Sequence, residues 1–250
     1  MAGFQTHITV STITGVAYGV WGYQCGAPIE TCALAGALCS VSGMLPDLDS
    51  DSGRPVQEMS ALAAAVVPLL MLDRFKDFGW PHETMALVGA ALYVAIRFGL
   101  AGLFKRYTVH RGMWHSIPAC IACGLAAFII VSGPDLAIRL FKAGAVSLGF
   151  LTHLILDEIW SFRVTSGRLN VKKSLGTALK FFGNDRFANA TMSGIVSLLS
   201  FIAVGDPMLM NHYGYQVTVG HQTAEQFFHD ALQFAVAKPK QPADAETLQR

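Results

Sequence analysis

Charge is what this chain has least of. Asp, Glu, Lys and Arg make up 14% of its 250 residues, against 52% hydrophobic residues, and the formal net charge is +1. A balance so near neutrality offers no field to attract nucleic acid or an acidic partner. Signs of a removable targeting segment are also missing. No basic stretch precedes the first apolar run and no small-residue cleavage signature follows it, so that run is expected to be a retained helix. There is no fixed-period repeat and no glycine-rich phosphate loop, which removes solenoids and nucleotide-binding loops from consideration. The five cysteines, Cys25, Cys32, Cys39, Cys120 and Cys123, lie in or beside apolar runs. Cys120 and Cys123 make a single C-x-x-C with no second pair, so helix packing outweighs zinc or redox chemistry there, and no structural disulfide is implied.

What the chain has in quantity is apolar length. Its mean hydropathy of +0.43 and its long uncharged runs place it among integral membrane proteins and exclude a soluble binding module. Apolar segments fall at 8–25, 28–45, 60–72, 85–104, 116–133, 143–160 and 191–210. The expected fold is all-α, a polytopic transmembrane bundle of about six to seven apolar helices in one domain over residues 1–210. The third segment is short and contains Pro68, and the seventh is interrupted by Asp206 and Pro207; each reads as a span or as a half-span covered by protein. Residues 211–250 form an appendage, with an amphipathic helix expected over 222–237 and a disordered polar tail from Lys238 to Arg250.

If all seven segments span, the N-terminus and the loops 46–59, 105–115 and 161–190 share one membrane face. Those loops carry Arg54, Lys105, Arg106, Arg111, Arg163, Arg168, Lys172, Lys173, Lys180 and Arg186, ten cations in all. The loops opposite, 73–84 and 134–142, carry four: Arg74, Lys76, Arg139 and Lys142. The positive-inside rule then puts the first face in the cytoplasm.

That same face collects the residues with metal chemistry. Ionisable groups beside hydrocarbon are costly, and their clustering there points to function. Pro46-Asp47-Leu48-Asp49-Ser50-Asp51 follows the second segment, and in an extended loop Asp47, Asp49 and Asp51 share a side. Two other readings stand beside a metal site: a solvated loop capping the next helix, and an EF-hand-like calcium loop with Asp47, Asp49, Asp51 and Glu58 at positions 1, 3, 5 and 12. The EF-hand reading is weakened by Ser52 where the turn needs glycine. His110-Arg111-Gly112-Met113-Trp114-His115-Ser116 precedes the fifth segment. Histidines five apart diverge on a regular helix, so His110 belongs to the loop and His115 to the helix start, with Ser116 as N-cap. His153 and Asp157, four apart, share one helix face, as a metal pair or as a histidine held by a carboxylate. His7, at the start of the first segment, either completes the ligand set or faces headgroups. The mixed cationic and apolar run from Lys172 to Phe182 reads as an interfacial segment on anionic lipid, or as a lid that binds phosphate over the site.

The order His7, Pro46-Asp47-Leu48-Asp49, His110-Arg111-Gly112-x-x-His115-Ser116 and His153-x-x-x-Asp157 resembles the YdjM-like family of inner-membrane, metal-dependent hydrolases over residues 1 to about 190. This chain has Trp114 where such proteins usually have Thr, and Ser50 where they often have His. The family is distantly similar to zinc-dependent phospholipase C and single-strand nucleases, and that similarity implies phosphoester hydrolysis.

Together these readings lead to an expected function. It is a membrane hydrolase acting on a phosphoester or lipid-linked substrate, with His7, Asp47, Asp49, His110, His115, His153 and Asp157 as metal ligands. Zinc is the first candidate, with magnesium, manganese and calcium behind it. Asp51 is the spare carboxylate, and Arg111, Lys172 and Lys173 neutralise substrate charge. The expected partner is the lipid bilayer, with anionic lipid as possible substrate. The alternative is a non-enzymatic membrane protein that binds or transports a divalent metal.

Overall fold

The computed structural model describes residues 3–49, 53–100, 113–165, 168–171 and 176–214, with backbone alone at 48–49, 53–58, 100 and in the two strands. Its elements follow the apolar runs. Helix α1 (Phe4–Gln24) and α2 (Ile29–Ser42) form a hairpin, and α2 leads into a 3-10 turn over Leu45–Asp49. Next come α3 (Gly53–Leu70), the short α4 (Leu72–Asp77), and α5 (His82–Val94) with a wide π turn over Ala95–Leu100. After these, α6 (Ile117–Ile130) and α7 (Leu136–Ile159) form a second hairpin, and α8 (Arg186–Val204) and α9 (Pro207–His212) close the described chain. Between α7 and α8 lies an antiparallel pair, β1 (Phe162–Thr165) and β2 (Arg168–Val171), with Phe162 opposite Val171. The expected all-α fold is therefore predominantly helical with one hairpin added, and the hairpin lies within the loop expected over 161–190. Among the described residues, three helical stretches are long and apolar enough to cross a membrane: Ile29–Asp47, Leu136–Ile159 and Arg186–Val204.

Small residues set how closely the helices pack. The buried face of α1 is His7, Ser11, Gly15, Gly19 and Gly22, a stripe at near-helical spacing. A Cβ on Gly15 would collide with the Gly36 carbonyl of α2, and one on Gly149 of α7 would collide with the Cys39 carbonyl. Backbones this close need glycine on both seams, the usual device where hydrocarbon solvent gives helices no hydrophobic drive to associate. Ser11 Oγ donates to the Ser40 carbonyl at 2.9 Å across the first seam. The seams bring the N-terminus of α1, the C-terminus of α2 and the C-terminus of α7 to one end of the bundle. At that same end, Ser116 caps α6, accepting from Ala119 N at 3.3 Å.

The opposite end is tied by charge. Arg139 is 1% exposed; it donates to Asp206 Oδ1 at 2.7 Å and Oδ2 at 2.9 Å, and to the Phe128 carbonyl at 3.0 Å. Arg74 of α4 donates to the same carboxylate at 2.7 Å. Burial alone would raise the Asp206 carboxyl, but the hydrogen bonds from Arg139 and Arg74 outweigh it and hold its pKa at about 2. This corrects the sequence reading on two counts. Arg139 and Lys142 sit inside α7 and not in a 134–142 loop, because Asp135 caps the helix there by accepting from Ile138 N at 2.8 Å. Asp206 does not merely interrupt a span; it ends α8, caps α9 and bridges two guanidinium groups.

Candidate metal centre

Five of the seven proposed ligands are described with their side chains, and they meet in one place. His7 comes from α1, Asp47 from the 3-10 turn, His115 from just before α6, and His153 and Asp157 from successive turns of α7. His7 Nε2 lies 3.4 Å from Asp157 Oδ1, and His153 Nε2 lies 3.6 Å from Asp47 Oδ1 and 3.8 Å from Asp157 Oδ2. His115 Nε2 is 3.9 Å from Asp47 Oδ1. The His7 and His153 rings stack at 3.7 Å between centroids, 11° from parallel, and His115 meets His153 edge-on at 5.8 Å. Two triads, His7–Asp47–His153 and His115–His153–Asp157, each offer ligand atoms within 4.8 Å of one another.

The orientation of His153 is decided by a backbone atom. Its Nδ1 is 2.7 Å from the Gly43 carbonyl, an atom with only lone pairs to offer, so Nδ1 carries the proton. In the neutral ring Nε2 is then a bare lone pair, and it is aimed at two carboxylates with no hydrogen-bond donor to it among the described residues. Lone pair against carboxylate is repulsive, and a proton or a metal cation between them relieves it. A carbonyl or carboxylate holding the far nitrogen of a metal-binding histidine is a common supporting arrangement. Burial makes the point sharper: the His7, His115, His153 and Asp157 side chains are at most 6% exposed, while Asp47 is 25% exposed and marks the open side.

The donor set suits a divalent ion in charge and in spacing. Three neutral imidazoles and two carboxylates sum to −2, which one such ion cancels; a buried charge of that size without a partner would be expensive. Two donors ~2.1 Å from a zinc ion at tetrahedral angles stand ~3.4 Å apart. The observed separations run from 3.4 Å, that value, up to 3.9 Å, and most are too long for good hydrogen bonds. Since His153 spends Nδ1 on Gly43, it has one nitrogen left to bind with, and the two triads overlap on a single central position.

Residues 1–167 match the family model described as YdjM inner membrane protein, a stretch that contains all five of these donors and most of the chain. The chain belongs to the YdjM inner membrane protein family. Family and apolar helices together give it a membrane location. No curated protein and no solved structure matches it. The family description speaks of the inner membrane and not of hydrolysis, so any activity of this YdjM-family chain has to be argued from the site.

The remaining sequence candidates are not part of the observed cluster. His110, Arg111, Asp51, Lys172 and Lys173 lie outside the described residues, as do the 222–237 helix and the tail, and Asp49 is described by backbone alone. The loop around Asp47 differs from expectation. It is a 3-10 turn and not an extended strand, so the two-residue alternation invoked for Asp47, Asp49 and Asp51 does not apply. The EF-hand alternative also fails, because α3 begins at Gly53 and occupies the last six of its twelve positions.

Two supports of the site went unread in the sequence. One is the Gly43 carbonyl, which no side-chain motif announces. The other is Trp114, whose Nε1 donates to the Leu45 carbonyl at 2.8 Å and whose ring stands edge-on to Phe150, 6.2 Å away. It thereby pins the turn that carries Asp47 against α7. The open question over His7 had a readable signal: its stripe with Ser11, Gly15 and Gly19 marks the face of α1 that packs inward.

Proposed function

We propose that this YdjM-family chain is a membrane-embedded hydrolase of phosphoesters, with a divalent metal, zinc first, held by His7, Asp47, His115, His153 and Asp157. On this reading six to seven helices cross the membrane and the metal end of the bundle faces the cytoplasm. The observation that carries the proposal is His153 Nε2: a lone pair fixed by the Gly43 carbonyl and directed at two carboxylates 3.6 and 3.8 Å away. An ion bound there supplies Lewis acidity and lowers the pKa of a water. The protein's own contribution is positional. Gly43 holds the His153 tautomer, Trp114 holds the Asp47 turn, and among the described residues of the cluster Asp47 is the one partly exposed. Asp49, Asp51 and His110 are further donors in sequence, and Arg111, with Lys172 and Lys173, supplies positive charge for an anionic substrate. Collection of the donors at helix ends favours hydrolysis over transport, because transport sites tend to lie near the midplane on broken helices.

The test is metal analysis of detergent-purified protein alongside a screen of phosphodiester and lipid substrates. Arg111→Ala removes none of the five clustered donors. It should leave metal content near that of the native chain while turnover falls by ~10²-fold, the effect of losing an electrostatic stabiliser. Full turnover in that variant removes the role given to Arg111. Bound metal with no turnover across the screen points instead to a non-enzymatic metal-binding membrane protein.

A further inference from the structure

The segment entering α8 is a strap laid across the metal end of the bundle. It is fixed at three points. Gly176 N donates to the carboxylate of Glu158, the neighbour of Asp157, and Ile117 N donates to the Lys180 carbonyl at 3.0 Å, two residues past His115. Gly183 and the Asn189 side chain exchange two hydrogen bonds of 2.8 Å. Between these anchors Ala178 is buried in the core cluster with Met113 and Leu154. The strap thus touches both chain segments that carry His115 and Asp157.

What it turns outward is apolar. Phe181 is 58% exposed, Phe182 73% and Phe187 72%, and Leu179 and Trp160 are exposed as well. An irregular segment tied down at three points has no need to display Phe181 and Phe182 beside the exposed Phe187 of the first turn of α8, and exposed apolar surface of this kind marks an interaction site. Its surroundings say with what. The patch runs into the outer face of α8, where Leu198, Phe201 and Val204 are exposed along a helix apolar enough to cross a membrane. Residues 161–190 also carry six cations, Arg163, Arg168, Lys172, Lys173, Lys180 and Arg186, against the single carboxylate of Asp185. Aromatic side chains among cations at the end of a membrane helix suit the boundary between acyl chains and anionic headgroups.

We propose that the strap 176–187 seats the metal end of the bundle in an anionic lipid leaflet, with Phe181, Phe182 and Phe187 entering the headgroup–acyl boundary. The metal centre then opens at headgroup depth, and its substrate is a phosphoester carried by a membrane lipid. The substrate half rests on the hydrolase reading above; the seating half stands without it.

Two measurements separate the halves. A nitroxide attached at Phe182→Cys, in a Cys25→Ser background and in vesicles containing phosphatidylglycerol, should be reached by oxygen and shielded from an aqueous nickel chelate. A label open to the chelate, or one whose spectrum is broadened by the label of a second copy of the chain, overturns the seating. The pair Phe181→Ser and Phe182→Ser should then lower turnover of a vesicle-embedded phosphatidylglycerol at least ten-fold. Metal content and turnover of a short-chain soluble phosphodiester should not change. Equal loss on both substrates overturns the strap's role. A native chain that cleaves neither, with the label still at the boundary, keeps the seating and overturns the substrate.

Discussion

Replacing Asp157 with Asn should change stability in opposite directions with and without metal. Asp47 Oδ1 and Asp157 Oδ2 lie 3.6 and 3.8 Å from the same nitrogen, His153 Nε2. The two oxygens are therefore no more than about 7 Å apart, and two unit charges at that separation repel by ~2 kcal/mol at an effective dielectric constant of 20. Without an ion, Asn removes that repulsion at almost no change in volume. The variant should then melt above the native chain in excess chelator, by ~2–4 °C per kcal/mol recovered for a chain of this size. With an ion at one hundred times its Kd, the native chain gains ~2.7 kcal/mol from binding. An amide oxygen is a poorer ligand and brings no charge, so the variant forfeits most of that gain and the order reverses. Thermal unfolding of both proteins in detergent, in chelator and in graded zinc, reads the crossing directly. If Asp157→Asn is destabilised equally under both conditions, Asp157 is an ordinary hydrogen-bond acceptor and the metal centre is wrong.

Two further outcomes follow from the supports around the site and from the far end of the bundle. Trp114→Phe keeps a ring against Phe150 but loses the donor to Leu45, so metal affinity should fall ~10-fold, as for other groups that orient ligands. The stability loss should stay within ~1.5 kcal/mol. Competition with a fluorescent chelator measures the first and melting the second, and unchanged affinity would show that the Leu45 bond does not position Asp47. The Asp206 carboxyl has a folded pKa of about 2, below an unfolded value of ~3.9. Its stabilising contribution is therefore whole above pH ~4 and disappears as pH falls through about 2. Asp206→Asn should be less stable at neutral pH and should lose less on acidification than the native chain over that window; parallel acid melting curves would remove Asp206 from the acid response.

The sequence by itself determined the main helices and the end of the bundle at which the donors gather. Seven apolar runs became α1, α2, α3, α5, α6, α7 and the α8–α9 pair, because long uncharged stretches leave the backbone no way to satisfy its hydrogen bonds except internally. His153 and Asp157 share a face through four-residue spacing alone, and Ser116 before an apolar run is a cap by its own chemistry. Tertiary structure decided what depends on residues far apart in the chain. Arg139 looked like the end of a loop because a charge breaks an apolar run, and only Asp206, 67 residues on, makes it a buried helix residue. His7 became a member of the cluster, not a headgroup contact, once Gly15 and Gly36 let α1 and α2 close. The lone pair at the centre of the proposed site exists because a carbonyl 110 residues from His153 accepts the hydrogen bond of its Nδ1–H. Helix period and capping are local and can be read along the chain. Burial, charge pairing and tautomer are set by whatever arrives from elsewhere.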